Sequence, residues 1–288
     1  MKLDLNHYGL IGFQREWRAL QGEKGSNLLE RFVDDCIDSG VDACVVTSEE
    51  YQIPRFSVHD RFGILKRIAQ RKPTGLSFHR DELGPEYISM KICNNYLEME
   101  KDTKRILLFN SQAARITESE EKIVVLLFGD NSFSDQGTFS QNTEYLKRDD
   151  LVIIPKKLTQ YGYYPKNKEK AREILFKHKE LYDAVVGFDA QAKISVNEES
   201  KEIALKVELP YVAISNKHSF SGCRTCIEIP DDRLNYEDEK SLLNTIKKAI
   251  RTRKFKNHEY PEGFLTGLKW KLPLLYGIKS KKQLNYQP

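Results

Sequence analysis

Short apolar segments alternate with amphipathic segments along most of this 288-residue sequence. The alternation constrains the fold strongly, because parallel strands joined by helical crossovers produce this order. The apolar runs predict strands at 3–5, 41–47, 105–109, 122–128, 151–154, 183–188, 211–214 and 225–229. The amphipathic runs predict helices at 26–37, 61–70, 168–181 and 240–250, with Gly40 ending the first. A polar turn at 197–201 predicts a hairpin over 192–207.

Charge is distributed unevenly along the chain. The net charge is +4, but residues 251–288 carry nine Lys or Arg and only two Asp or Glu. About 40% of all residues are apolar, which is enough to bury a sizeable core. We therefore predict an α/β domain at 1–235 and an extension at 236–288, in which a helix and a basic, aromatic tail pack on the domain.

The cysteines and the apolar runs bear on the compartment. Five cysteines at irregular spacing do not form a disulfide framework. Cys36 and Cys44 fall in apolar segments, where a thiol acts as a small hydrophobic residue. No apolar run reaches the roughly 18 residues of a membrane span, and the N-terminal residues lack an apolar leader. We expect a cytoplasmic protein with no membrane partner.

Polar residues cluster where several predicted strands end, at 6–8, 47–50, 155–157 and 215–219. In barrels of parallel strands the carboxyl ends of the strands meet at one edge, where the chemistry is located. The clusters therefore predict one shared site. The alternative is that polar residues follow strands only because loops are polar.

The order of these segments resembles the PHP (polymerase and histidinol phosphatase) family. Members have strand-end motifs of the types D-L-H-x-H, T-D-H, His-Pro and S-D-A-H. Their counterparts here are Asp4-Leu5-Asn6-His7-Tyr8, the segment 40–49, Val152-Ile153-Ile154-Pro155 and 215–219, and 182–189 resembles the penultimate strand. The resemblance covers roughly residues 1–230. It implies a distorted (β/α)7 TIM-type barrel that binds up to three metal ions and hydrolyses phosphate esters.

Most ligand positions implied by the resemblance hold other residues. Histidines are replaced by Asn6, Tyr8, Glu49 and Ile154, aspartates by Ser48 and Asn216, and only His218 matches. The middle glutamate of the family falls near Gln112, and the next histidine falls near Lys122. Neutral amides and hydroxyls are weak metal ligands. The nearby Lys156, Lys157 and Lys217 would repel a metal ion but could hold a phosphate.

These replacements predict a PHP-like protein that has lost metal-dependent phosphoesterase activity. It would bind an anion or a nucleic acid, or act as a subunit of a complex, as the PHP-like protein subunit of ribonuclease P does. The ligand-binding candidates are Asn6, Tyr8, Gln112, Lys156, Asn216 and Lys217, and no metal cofactor is expected. The alternative is a phosphoesterase with a reduced site, in which His218 and Glu49 are catalytic and hold Zn, Mn or Fe.

Two further features suggest partners. Basic residues interleave with aromatic ones in the tail, a combination that suits single-stranded nucleic acid; the basic residues are Arg251, Arg253, Lys254, Lys256, Lys281 and Lys282. A protein partner is the other option. Cys223 and Cys226 form a lone C-x-x-C that could hold zinc with His218, although two thiols beside a strand explain the spacing more simply.

Overall fold

The computed structural model describes residues 1–7, 25–49, 89–92, 95–101, 103–130, 133, 137–155, 167–215 and 224–261. Eleven strands and five α-helices lie within these ranges. The helices are α1 (Gly25–Ser39), α2 (Thr143–Leu146), α3 (Lys168–Lys177), α4 (Ile194–Lys206) and α5 (Glu239–Arg251). The strands are β1 (Lys2–His7), β2 (Ala43–Glu49), β3 (Ser89–Ile92), β4 (Tyr96–Lys101), β5 (Lys104–Glu118), β6 (Glu121–Phe128), β7 (Val152–Pro155), β8 (Val185–Asp189), β9 (Tyr211–Ile214), β10 (Cys226–Glu228) and β11 (Lys256–His258). None of the described helices has both the length and the apolar character needed to cross a membrane.

A curled, mixed sheet organises the molecule. Seven strands follow one path in the order β11-β10-β1-β2-β5-β4-β3, and β6 and β7 continue from β5. The 15-residue strand β5 makes this branch possible, because its first half pairs with β4 and its second half pairs with β6. The pairs β1–β2 and β2–β5 are parallel, and β8 and β9 form a separate parallel pair.

Strand alternation divides most of the described core into two large clusters, and Phe188, Ala190 and Ala213 form a small third one. Side chains on one face of the sheet form an interior cluster that also takes in β8, β9 and the apolar side of α5; its members include Leu3, Val45, Phe109, Leu126, Ile154, Val186, Val212, Leu242 and Ile246. The opposite face packs against α3 and α4; its members include Val125, Leu127, Ile153, Leu175 and Ile203. Helix α5 is therefore part of the same core as the strands.

The turn from α1 into β2 depends on Gly40. The Gly40 N–H donates to the Ile37 carbonyl at 3.0 Å and the Val41 N–H donates to the Cys36 carbonyl at 2.9 Å. This pair of bonds is the Schellman arrangement, which requires a left-handed residue at the position after the helix. Gly40 has a φ of +66°, so the predicted helix-ending role of this glycine is confirmed.

Replacing Gly40 tests the need for a left-handed backbone without a steric clash. The atom nearest to an added Cβ is Lys2 Nζ, at an ordinary contact distance of 3.8 Å. We expect Gly40→Ala to lower the free energy of unfolding by about 1 kcal/mol through left-handed strain. Gly40→Asn should cost less, since asparagine tolerates this conformation better. Urea unfolding of both variants measures the difference, and an equal loss for Ala and Asn would contradict the explanation.

Buried carboxylates join the β8–β9 pair to the large sheet on both sides. On one side, the Ile153 N–H of β7 donates to Asp183 Oδ2 at 2.7 Å, and the Asp183 N–H donates back to the Ile153 carbonyl at 2.9 Å. On the other side, Ser215 Oγ, directly after β9, donates to Asp4 Oδ2 of β1 at 2.7 Å. Both carboxylates are completely buried. Side chains thus make connections that a continuous strand ladder would otherwise make.

Asn257 of β11 provides a third connection to β9. Its Oδ1 accepts from the Ala213 N–H at 2.8 Å and its Nδ2 donates to the Tyr211 carbonyl at 3.0 Å. One amide side chain therefore satisfies a donor and an acceptor on the edge of β9. Buried edge groups without such partners would cost free energy.

The contribution of the Asp4–Ser215 bond can be isolated by a double-mutant cycle with Asp4→Ala and Ser215→Ala. We expect a coupling free energy of about 1–3 kcal/mol, because the bond is charge-assisted and buried. The matched control is the exposed bond from Ser241 Oγ to Asp238 Oδ2, at 2.6 Å, for which we expect a smaller coupling. Equal couplings by chemical denaturation would contradict a special role for the buried bond.

The sequence predictions are confirmed for most of the strands and helices that they named, but among the described strands the parallel arrangement holds only for β1–β2, β2–β5 and β8–β9. The other described strand pairs are antiparallel, namely β1–β10, β10–β11, β3–β4, β4–β5, β5–β6 and β6–β7. The predicted hairpin over 192–207 is helix α4, whose buried residues Val196, Ser200, Ile203 and Ala204 recur at helical spacing. The predicted helix over 168–181 ends at Lys177 and continues as a 3-10 turn, Lys179–Leu181. The predicted helix at 61–70 lies outside the described residues. The α/β class is confirmed, whereas no closed ladder of (β/α)7 type joins the described strands.

Candidate functional site

Two hydroxyl side chains lie on the inner face near the carboxyl ends of β2 and β5. Thr47 and Ser111 are register partners in this parallel pair. They share the face of Val45 and Phe109, which belong to the interior cluster, and both hydroxyl residues are fully buried. Within the described part of the chain, Ser111 Oγ has no hydrogen-bond partner. The inner face of the sheet therefore carries neutral hydroxyl groups near the carboxyl ends of β2 and β5, and we call this region the inner edge.

Ile154 lies at a position where the family resemblance implies a metal-binding histidine. Its side chain is buried in the interior cluster, 1% exposed, beside Val152 of the same strand. A packed isoleucine cannot donate an electron pair to a metal ion. The described residues at this edge thus do not fit a metal cluster of the family type.

Gln112, predicted near the family's glutamate, has both ends of its amide engaged by the main chain of Phe133. Its Nε2 donates to the Phe133 carbonyl at 2.9 Å and its Oε1 accepts from the Phe133 N–H at 3.2 Å. It follows Ser111 in β5 and so faces away from the interior cluster. Gln112 therefore holds the main chain of Phe133. Lys122, near which the resemblance implies a histidine, is exposed on β6.

The polar ends of β8 and β9 are also held by internal bonds. Asp189 Oδ1 accepts from the Gln191 N–H at 2.9 Å, and the Asn197 side chain bonds both the N–H and the carbonyl of Asp189. Ser215 donates its hydroxyl proton to Asp4. Asp189 therefore stabilises the turn that follows β8, and Ser215 connects the end of β9 to β1.

The Cys226 thiol stays protonated near neutral pH. Burial raises its pKa to about 12, and the Asp4 carboxylate acts in the same direction. Metals bind cysteine as the thiolate, so this environment opposes a zinc site at the C-x-x-C sequence. Cys223 lies outside the described residues.

Several predicted site residues fall outside the described ranges. They are Tyr8, Lys156, Asn216, Lys217 and His218, together with Lys281 and Lys282 of the tail. Asn6 lies in β1, where the pairing register with β2 shifts between Asp4 and His7, and Glu49 ends β2 opposite Ala113 of β5. The roles predicted for these residues stay predictions.

The basic segment after α5 lies at the start of β8 and β9. The Arg251 guanidinium bonds the Asp183 carboxylate and the Glu180 carbonyl, which precede β8. Arg253 Nη2 donates to the Glu208 carbonyl, before β9, at 3.2 Å. The carboxyl end of β8 is roughly 13 Å further along the strand. The described part of the basic segment therefore lies at the opposite end of this strand pair from the carboxyl ends of β8 and β9.

Lys248 joins this basic surface, and sequence analysis missed it. It lies in the last turn of α5, and with Arg253 and Lys254 it forms an exposed group that we name the α5 basic end. Among the described residues, these three side chains make no ion pair. Lys256 is also exposed, but it lies opposite Glu228 in the β10–β11 pair. The pKa of Glu228 is lowered chiefly by a hydrogen bond from His258 and to a lesser extent by the charge of Lys256. The position of Lys248, three residues before Arg251 on the predicted helix, could have linked it to the basic segment.

Comparison with known proteins assigns no family to the chain. No protein-family model matches it, and no curated protein matches it. The resemblance to the PHP family, drawn from the strand-end motifs, therefore stays a prediction. Function has to be inferred from the chemistry of the described residues.

Removing the Ser111 hydroxyl tests whether this group stabilises the folded protein. We expect Ser111→Ala to raise the free energy of unfolding by up to about 1 kcal/mol, because a buried hydroxyl without a partner is destabilising. Ser215→Ala is the control, since it makes the same change at an equally buried hydroxyl that is bonded to Asp4. That control should lose stability in urea unfolding, and a loss for Ser111→Ala as well would contradict the prediction.

Proposed function

We propose that this chain is a PHP-like protein that binds single-stranded nucleic acid through the α5 basic end and has no metal-dependent phosphoesterase activity. The observation that carries the proposal is the exposed positive charge of Lys248, Arg253 and Lys254, which no described carboxylate neutralises. Uncompensated charge of this kind attracts phosphates and releases their counterions. The proposal also includes a closed, PHP-like (β/α)7 barrel, which the side-chain connections of Asp4, Asp183 and Asn257 support.

The loss of metal chemistry is supported by the inner edge of the sheet. Ile154 is packed in the core and Gln112 is engaged by Phe133, so neither is available to a metal ion. Thr47 and Ser111 add neutral hydroxyl groups, which hold multivalent cations poorly. A site built this way favours binding over hydrolysis.

The described basic surface is suited to phosphates and less to bases. Phe255, within the basic segment, packs against the interior cluster and is not presented as a stacking platform. Contacts with the phosphate backbone position a nucleic acid but carry little sequence information. We therefore propose binding that is strongly salt-dependent and weakly sequence-specific.

Fluorescence anisotropy with short single-stranded RNA and DNA tests the proposal between about 50 and 200 mM salt. The triple variant Lys248→Gln, Arg253→Gly, Lys254→Gln should bind at least about tenfold more weakly, with a salt slope smaller by about 2. Glycine is chosen at Arg253 because the backbone there is left-handed, with a φ of +57°.

The matched control removes three exposed lysines elsewhere, through Lys104→Gln, Lys122→Gln and Lys193→Gln. It changes the net charge equally, so it should retain most of the affinity. No binding by the unmodified protein at low salt, or the same loss in both triple variants, would overturn the proposed surface. Stoichiometric metal in the purified protein, with phosphoesterase activity lost in His218→Ala, would instead support the enzyme alternative.

A further inference from the structure

Two buried cysteines meet between α1 and β2. The sulfur atoms of Cys36 and Cys44 are 3.7 Å apart, and no disulfide joins them. Their exposed fractions are 2% and 1%. Sequence analysis placed both in apolar segments as small hydrophobic residues, which their burial confirms, but it gave no reason to pair them.

The backbone holds the two thiols against each other. The Schellman turn at Gly40 folds the chain back from α1, with the Cys36 carbonyl itself accepting the Val41 N–H. Asp42 then fixes the start of β2 to β1, because its N–H donates to the Lys2 carbonyl and its Oδ2 accepts from the Lys2 N–H. Both cysteines therefore lie on regular elements whose relative placement is set on each side of a short turn.

We propose that Cys36 and Cys44 are a site of reversible oxidation to an intrachain disulfide, with a peroxide as the oxidant. A disulfide needs the sulfur atoms at about 2.0 Å, so they must approach by less than about 2 Å, which small rotations about the side-chain bonds supply. The oxidation does not depend on the proposed nucleic-acid binding.

The chemistry balances with hydrogen peroxide as the two-electron oxidant. One thiolate attacks a peroxide oxygen, the O–O bond breaks, and a sulfenic acid and hydroxide form. The second thiolate then attacks the sulfenic sulfur, the S–O bond breaks, and a second hydroxide leaves. Each hydroxide takes up one of the two protons that the thiols released and becomes water. Two thiols and one peroxide thus yield one disulfide and two waters. A dithiol reductant reverses the change.

Burial sets the rate of this reaction. Because both sulfurs are shielded from solvent, peroxide reaches them only when the contact between α1 and β2 opens transiently. We therefore expect slow oxidation over hours, in contrast to the fast reaction of an exposed, low-pKa cysteine. The disulfide would tie α1 to the strand that carries Thr47 three residues further on.

The test treats the full-length, folded protein with millimolar hydrogen peroxide and maps cross-linked peptides by mass spectrometry without reduction. We expect a Cys36–Cys44 peptide pair, with a mass loss of about 2 Da that dithiothreitol reverses. Cys226→Ser, which removes the other described thiol, should keep the pair. Cys36→Ser and Cys44→Ser should each abolish it, and the remaining cysteine should then be trapped by dimedone as a sulfenic acid.

Two outcomes would overturn the proposal. In the first, Cys36 and Cys44 stay reduced in the folded protein throughout an exposure to peroxide that lasts many hours. In the second, Cys36 or Cys44 of the folded protein forms mixed disulfides with other cysteines as readily as the Cys36–Cys44 pair, which would show that the folded geometry does not bring the two thiols together. A circular dichroism spectrum of each variant establishes that the serine substitutions leave the protein folded.

Discussion

The two buried carboxylates, Asp183 and Asp4, connect the two sheets, and the core between the sheets relies on both. Burial raises the pKa of Asp183, while Lys247 and Arg251 act in the opposite direction. A buried carboxylate is tolerated only when hydrogen bonds and positive charge offset its lost hydration. The core between the large sheet and the β8–β9 pair is thus enclosed by polar contacts at its margins.

Helix α5 links this core to the surface that we propose as functional. One side of the helix supplies apolar side chains to the interior cluster, and Lys247 donates to the Arg148 carbonyl at 2.6 Å. Arg251, four residues on, bonds Asp183. Lys248 lies on this packed helix, and Arg253 follows it directly, with its N–H bonded to the Ile250 carbonyl. The backbone that carries both charges is therefore preorganised before any phosphate arrives.

The candidate site could be predicted only in part. Most strands were located from apolar runs, because burial on both faces produces such runs, but the run at 105–109 did not reveal that β5 extends to Glu118. The partners of the polar residues could not be predicted, since each partner is distant in sequence. Gln112 bonds Phe133 and Asp4 bonds Ser215, which lies 211 residues away. Helix α4 was mistaken for a hairpin because Asn197 and Ser200 suggested a turn, whereas Asn197 bonds the backbone of Asp189.

The α/β class, the order of most elements and the glycine that ends α1 are encoded locally in the sequence, because they depend on periodicity and on backbone conformation. Packing in three dimensions selected which polar side chains stabilise the fold and which are exposed to a ligand. It also placed the α5 basic end away from the carboxyl ends of β8 and β9, and it brought Cys36 into contact with Cys44. The reason is physical: contacts between distant segments depend on how the sheets and helices pack, and no local pattern records that packing.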